Sequence, residues 1–91
     1  MAIGFYFAPA SMSAQKYDQV VSRLQAAGQG KPAGRLYHVA FEGGNGLHVF
    51  DIWESQELFD AFGKTLMPIL GDLGIDPGTP QVSPVHNIIP G

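Results

Sequence analysis

The pattern of apolar and polar positions is clearest between Arg35 and Leu70. Two runs rich in aromatic and branched residues, Arg35 to Glu42 and Leu47 to Glu54, flank the sequence Gly43-Gly44-Asn45-Gly46. Runs of this kind around an Asn-Gly turn are typical of a β-hairpin. The segment therefore predicts two antiparallel strands joined by a tight turn.

The first part of the chain predicts a strand followed by a helix. Ile3 to Ala8 alternates along its length and predicts a strand that Pro9 ends. Ser11 or Ser13 can cap the next helix by accepting from its free backbone N–H groups, and Gly28 suits its C-terminal end. One apolar stripe at helical spacing runs between these signals, formed by Tyr17, Val20, Val21, Leu24 and Ala27.

The last part predicts a second helix and a fourth strand. Ser55 is a natural N-cap for a helix with the apolar stripe Leu58, Phe59, Phe62, Leu66, Ile69 and Leu70. Pro68 lies inside this stripe and predicts a kink or an end within the two preceding residues. Gln81 to Ile89 predicts a strand, and Pro84 inside it confines that strand to a sheet edge.

The order of elements is therefore βαββαβ. Right-handed crossovers then give one antiparallel sheet with strand order 4-1-3-2 and both helices on one face. This is a ferredoxin-like α+β fold. No linker divides the chain, so residues 1–91 are expected to form a single domain.

The two faces of the hairpin follow from its register. If the loop has an even number of residues, one face of the hairpin carries the side chains of Leu36, His38, Ala40, Val49, Asp51 and Trp53. The opposite face then carries Tyr37, Val39, Phe41, Phe50 and Ile52, with His48 at its rim. We predict that the helices cover this second, wholly apolar face. An odd loop with a bulge would reverse the pairing of faces.

The first face would then remain bare, and an apolar sheet face of that size indicates a partner. The simplest closure is a homodimer through the open sheet face, which makes a dimeric α/β barrel and encloses a small cavity. Apolar residues make up 45% and charged residues 14% of the chain, a low charge density that also favours a covered surface.

Composition narrows the function further. The five basic residues are scattered, which argues against nucleic-acid binding. The absence of cysteine excludes disulfides and thiolate chemistry. The apolar segment Ala2 to Ala10 is too short for a membrane span and lacks the basic flank of a signal peptide. The expectation is a cytoplasmic protein that binds neither nucleic acid nor membrane.

His38 and Asp51 are the candidate catalytic residues, because the predicted register places them opposite or nearly opposite each other. A carboxylate that accepts from one ring nitrogen of histidine fixes the tautomer and raises the basicity of the other nitrogen. Such a pair can serve as a general base or acid. The alternative is a buried polar pair that satisfies itself at the dimer interface and fixes its register. No serine lies near the pair, so a catalytic triad is not supported.

The candidate pocket residues are Trp53, Tyr6, Leu36, Val49 and His86. Trp53 can stack on a flat aromatic ligand or anchor the interface. Either His86 or Asn87 faces the cavity. An inward His86 would bring two histidines and the Asp51 carboxylate together as a metal site, but the spacing is not specific for one. We therefore expect no metal and no cofactor.

The layout, the run LHVFDIWES (Leu47 to Ser55) and the aromatic helix after it resemble the dimeric α/β-barrel superfamily. Within it, the chain resembles the antibiotic-biosynthesis-monooxygenase-like (ABM-like) domains over nearly its whole length. The resemblance implies a cofactor-free monooxygenase or an isomerase acting on a small, flat, aromatic or apolar molecule. A non-catalytic ligand-binding or interaction module on the same fold is the alternative.

Haem degradation, found elsewhere in the superfamily, is not expected of this chain. Trp53 matches the tryptophan that the haem-degrading members use on this strand. Those members also use a histidine on the second helix and an asparagine on the first strand. Neither residue type is present in the corresponding segments of this chain.

Overall fold

The computed structural model describes residues 1–91, which form two helices packed on one face of a four-stranded antiparallel sheet. The elements are β1 (Ile3–Phe7), α1 (Ala14–Ala26), β2 (Arg35–Glu42), β3 (Leu47–Trp53), α2 (Gln56–Asp72) and β4 (Gln81–Pro84). The strand order is β2-β3-β1-β4, which is the predicted order 4-1-3-2 read from the other edge. The ferredoxin-like α+β fold is confirmed. Neither helix has the length and apolar character needed to cross a bilayer.

The hairpin has the predicted even loop, and its register pairs His38 with Asp51. Gly46 closes the loop at a φ of +132°, which favours glycine. A Cβ on Gly46 would lie 3.0 Å from the carbonyl oxygen of Met12. The next backbone N–H, that of Leu47, donates to the same oxygen at 2.7 Å. Glycine therefore lets the segment before α1 dock directly on the hairpin.

Both helices begin at predicted serine caps. The Ser13 hydroxyl oxygen accepts from the Lys16 backbone N–H at 3.1 Å. The Ser55 hydroxyl oxygen accepts from the Leu58 backbone N–H at 3.3 Å. These bonds satisfy backbone donors that the first turn of a helix leaves free.

Two predicted element ends need correction, whereas the predicted edge position of the strand that contains Pro84 is confirmed. The α2 helix does not end before Pro68, because it continues to Asp72. Pro68 has no backbone N–H to donate within the helix. Ile69 and Leu70, which follow it directly, are buried in the core, and their packing stabilises the last turn of α2. The last strand, in contrast, ends at Pro84 and does not extend to Ile89. The Val85 backbone N–H still donates to the Ala2 carbonyl oxygen at 2.9 Å, but beyond it the chain runs past the start of its partner strand, since β1 begins at Ile3.

The helices cover the face of the sheet opposite to the predicted one. Trp53 is fully buried, and its ring centroid lies 5.6 Å from that of Phe59 and 5.1 Å from that of Phe62, both on α2. Tyr37 and Phe41, which were expected under the helices, are 52% and 39% exposed. The predicted assignment of covered and bare faces is therefore wrong.

The open face, as we call the side away from the helices, carries Tyr6, Tyr37, Val39, Phe41, His48 and Phe50. The covered face carries the alternate residues, including Val49, Asp51 and Trp53 on β3. Both faces are apolar by pattern, so hydropathy alone did not distinguish them. The covered face can hold His38 and Asp51 because hydrogen bonds satisfy both side chains there.

A β-bulge in β2 also changes the placement of Leu36. Arg35 pairs with Trp53, and Tyr37 pairs with Ile52, so Leu36 is the extra residue on its strand. Leu36 is 51% exposed. The bulge places Arg35 on the covered face, at the position that Leu36 would occupy in a regular strand.

We expect Trp53→Ala to lower the free energy of unfolding by about 3–5 kcal/mol, because it leaves a large cavity under α2. Leu36→Ala, at a half-exposed bulge, should change it by about 0.5 kcal/mol or less. Urea denaturation monitored by circular dichroism measures both variants. Equal losses for the two would contradict the covered face described above.

Candidate functional site

A cavity of about 500 Å³ lies between the two helices and the covered face of the sheet. Its walls are mainly apolar and include Phe7, Val20, Leu24, Val49, Phe59 and Phe62. This volume is in the range of small-molecule sites. This cavity lies within a single chain and is distinct from the one predicted between the two sheets of a dimer.

The Asp51 carboxylate is the centre of the polar network in this cavity. One oxygen, Oδ1, lies 2.5 Å from His38 Nδ1. The other, Oδ2, accepts from the indole N–H of Trp53 at 3.3 Å. Asp51 is only 5% exposed, so these donors replace water around its charge.

The hydrogen bonds define the tautomer of His38. An ionised carboxylate only accepts, so the Nδ1 nitrogen must carry the hydrogen that is donated to Asp51. In neutral His38 the Nε2 nitrogen is then an acceptor. The Tyr17 hydroxyl lies 2.6 Å from Nε2 and donates to it. The result is a continuous chain of hydrogen bonds from Tyr17 through His38 to Asp51.

Three elements of the fold bring these groups together. Asp51 and Trp53 are two residues apart on β3, so strand alternation puts both on the covered face. His38 is the cross-strand partner of Asp51 on β2. Tyr17 comes from the first part of α1, and its ring lies nearly parallel to the imidazole, with 9° between their planes.

Burial is the main influence on the Tyr17 hydroxyl and raises the pKa of the phenol above 10.0. The positive charge of Arg35 acts in the opposite direction, while the negative charges of Asp51 and Asp18 raise the pKa further. Tyr17 therefore keeps its proton at neutral pH. No buried side-chain nitrogen or oxygen in the chain lacks a hydrogen-bond partner.

Charged residues of α2 mark the opening of the cavity to solvent. Asp60 and Lys64 line the cavity and are exposed, as is Met67 one turn further. The Asp60 carboxylate accepts from the side-chain amide of Gln56 at 2.9 Å. The cavity therefore reaches solvent beside two residues of opposite charge, whereas its interior is mainly apolar.

The predicted pocket residues do not lie together, and only Val49 among them lines the cavity. Val49 lines the cavity, and Trp53 supports it from the core through its bond to Asp51. Tyr6 lies on the open face instead, with its hydroxyl 2.8 Å from Nδ1 of His48. Leu36 is at the exposed bulge and does not line the cavity.

Both remaining histidines also lie outside the cavity. His48 was expected at the rim of the helix-covered face, but it belongs to the open face, where Nε2 lies 2.9 Å from the Asn45 side-chain oxygen. His86 follows the end of β4 and is exposed. It is not brought to His38 and Asp51, and no three potential metal ligands of these types cluster anywhere in the chain.

Sequence reasoning did not assign Tyr17 or Arg35 to the site. Tyr17 was counted only as an apolar position of the α1 stripe, although a hydroxyl within such a stripe needs a buried partner. Arg35 reaches the cavity through the bulge, for which the sequence offers no separate signal.

Three solved structures are similar to this chain over 99% of its length. SnoaB from Streptomyces nogalater, a cofactor-independent oxygenase, is 14% identical with a TM-score of 0.61, and 96% of it is covered. A Nitrosomonas europaea protein of unknown function is 17% identical with a TM-score of 0.61 and 94% covered. The monooxygenase ActVA-Orf6 of Streptomyces coelicolor, solved with nanaomycin D, is 18% identical with a TM-score of 0.56 and 92% covered.

The chain has the ABM-like fold. The predicted resemblance is thus confirmed for the architecture, which these oxygenases share over almost their whole length. No family model and no curated protein sequence matches the chain. At identities this low the similarity establishes the fold of the ABM-like domain alone.

We expect Asp51→Asn to reverse the tautomer of His38. The amide oxygen can still accept from Trp53, and the amide N–H₂ then donates to His38 Nδ1, which must lose its hydrogen. Long-range ¹H–¹⁵N spectra distinguish the two tautomers, and the exposed His86 serves as an internal control. An unchanged His38 tautomer would contradict the hydrogen-bond directions assigned here.

Proposed function

We propose that this ABM-like domain is a cofactor-free monooxygenase or isomerase acting on a small, flat, aromatic or apolar molecule. The molecule would occupy the cavity between the helices and the sheet. His38 and Asp51 would form its proton-transfer pair. The observation that carries the proposal is the position of this pair in the wall of a largely apolar cavity of about 500 Å³.

Cofactor-free oxygenation needs two things that such a site can supply. A base must remove a proton from a phenol or quinol, because the resulting electron-rich anion reacts with O₂. An apolar environment must keep bulk water away from that anion. The His38–Asp51 pair provides the base, and the walls formed by residues such as Val49 and Phe59 provide the apolar environment.

Access to the pair also supports an enzyme. A catalytic histidine has to be reachable, whereas a purely structural pair is often sealed by packing. The His38 side chain is 24% exposed and the Asp51 side chain 7%. Both residues line the cavity, and His38 is the more exposed of the two.

Two of the similar structures are an oxygenase described as cofactor-independent and a monooxygenase. They support the proposed class of reaction, because proteins with a similar fold are oxygenases. The fold alone does not assign a reaction, because one fold hosts many functions. The proposal therefore depends on the His38–Asp51 pair and its cavity.

The second candidate is a non-catalytic ligand-binding module with the same cavity. One observation favours it: both ring nitrogens of His38 already have partners, at 2.5 Å and 2.6 Å. A pair satisfied in this way can be purely structural. This candidate predicts ligand binding without turnover.

A homodimer through the open face is the proposed assembly. Tyr37 and Phe41 expose aromatic surface there, next to the Tyr6–His48 hydrogen bond. Exposed apolar patches of this kind are typical of interaction sites. Two open faces packed against each other around a twofold axis would cover them both.

If His38 is the base, His38→Ala should reduce turnover by about 10²–10⁴-fold, the usual contribution of general-base catalysis. Asp51→Asn should act in the same direction, and His86→Ala in the exposed tail should leave the rate unchanged. The measurement is oxygen uptake with spectral change for hydroquinones and anthrones, and spectral change alone for unsaturated lactones. If the wild-type protein binds members of this panel but converts none, the binding module replaces the enzyme.

The proposed dimer predicts a molar mass in light scattering of twice the 9.7 kDa of one chain at micromolar concentration. Tyr37→Lys should shift the mass to that of a monomer, because it buries an unpaired charge in the interface. Met67→Lys is the matched control, since both side chains belong to residues that are 52% exposed but Met67 lies on α2. A wild-type monomer would disprove the assembly.

A further inference from the structure

Neither ring nitrogen of His38 is free to meet a ligand. Asp51 occupies Nδ1 and the Tyr17 hydroxyl occupies Nε2, at 2.5 Å and 2.6 Å. A base whose lone pair already accepts a hydrogen bond cannot also accept a proton directly from a molecule in the cavity. A ligand must therefore reach His38 through the group that occupies Nε2, or displace it.

That group is well placed to meet a ligand. Tyr17 lines the cavity and extends from α1 toward β2. A phenolic hydroxyl has one hydrogen to donate and lone pairs with which to accept. While it donates to His38, its oxygen can still accept a hydrogen bond from a hydroxyl group in the cavity.

We infer that Tyr17 is the residue that contacts the ligand hydroxyl and relays its proton to His38. This inference rests on the proposed function and names the group of the ligand that the site recognises, an acidic hydroxyl on a flat phenol or enol. His38 accepts the proton from Tyr17, and the Asp51 carboxylate stabilises the resulting imidazolium.

The relay is balanced in atoms and charge. The ligand O–H bond breaks as its proton bonds to the Tyr17 oxygen, and the Tyr17 O–H bond breaks as its proton bonds to His38 Nε2. Tyr17 ends neutral, the ligand ends as an oxyanion, and His38 ends as an imidazolium beside the Asp51 carboxylate. The step needs no oxidant, and any later reaction of the anion with O₂ is separate from it.

The charges around Tyr17 suit a relay. Burial, together with the charges of Asp51 and Asp18, raises the pKa of the Tyr17 phenol, so it keeps the proton it must pass on. Arg35 on β2 opposes this shift and lines the same cavity, where its positive charge can stabilise a ligand oxyanion. Asp60 and Lys64, of opposite sign, are the charged residues that α2 contributes to the lining.

The test uses 4-nitrophenol, whose anion alone absorbs visible light, and 4-nitroanisole, its methyl ether without the hydroxyl. Each is titrated into the wild-type protein and the variants Tyr17→Phe, His38→Gln and Tyr37→Phe. Isothermal calorimetry gives the affinity, and visible absorbance as a function of pH gives the pKa of bound 4-nitrophenol. Circular dichroism verifies the fold of each variant.

In the wild-type protein we expect the pKa of bound 4-nitrophenol to fall by about one to three units relative to the free probe. Tyr17→Phe and His38→Gln should each remove most of this shift while 4-nitroanisole binds as in the wild type. Tyr37→Phe, an equivalent change on the open face, should keep the full shift.

Other outcomes separate the inference from the proposed function. A full shift in Tyr17→Phe would overturn the relay and show that His38 meets the ligand without it. Binding of 4-nitrophenol to the wild type without any shift would also overturn the relay, but would leave the cavity as a binding site. If neither probe binds the wild-type protein, the proposed ligand class fails and the relay fails with it.

Discussion

The buried Asp51 carboxylate is the constraint on which the candidate site depends. A charge that is 5% exposed must be compensated within the protein, because water cannot solvate it. His38 and Trp53 supply the two hydrogen bonds that do so. The bond from His38 links β2 to β3, defines the His38 tautomer and orients its second nitrogen toward Tyr17. Packing of the core and orientation of the catalytic candidates therefore have one physical cause.

The covered face forms part of the hydrophobic core and also one wall of the cavity. Near β1 and the end of β3 it forms the aromatic core, where Phe5 and Phe59 stack with 4.1 Å between their centroids. Next to this core it forms the wall of a cavity that α1 and α2 leave open. Tyr17 connects the helix layer to the sheet at the boundary between the two regions. Any change in the position of α1 would therefore alter the polar network as well as the cavity.

The open face has its own polar group among exposed aromatic side chains. Tyr6, His48 and Asn45 form a short hydrogen-bonded chain there, and the rings of Tyr6 and Phe41 lie 6.1 Å apart. This network is separated from the cavity by the sheet. The bulge at Leu36 affects both sides, because it exposes one apolar side chain and brings the charge of Arg35 to the covered face.

The sequence by itself determined the order of elements, the helix cap at Ser55, the edge position of β4 and the pairing of His38 with Asp51. These features follow from local signals: side-chain periodicity, turn residues and a capping serine. Only the tertiary structure decided which face the helices cover, since both faces of the hairpin are apolar and burial depends on what packs against them. It also decided the bulge that places Arg35 and the contact of Tyr17 with His38, because these depend on strand pairing and helix docking between residues distant in sequence.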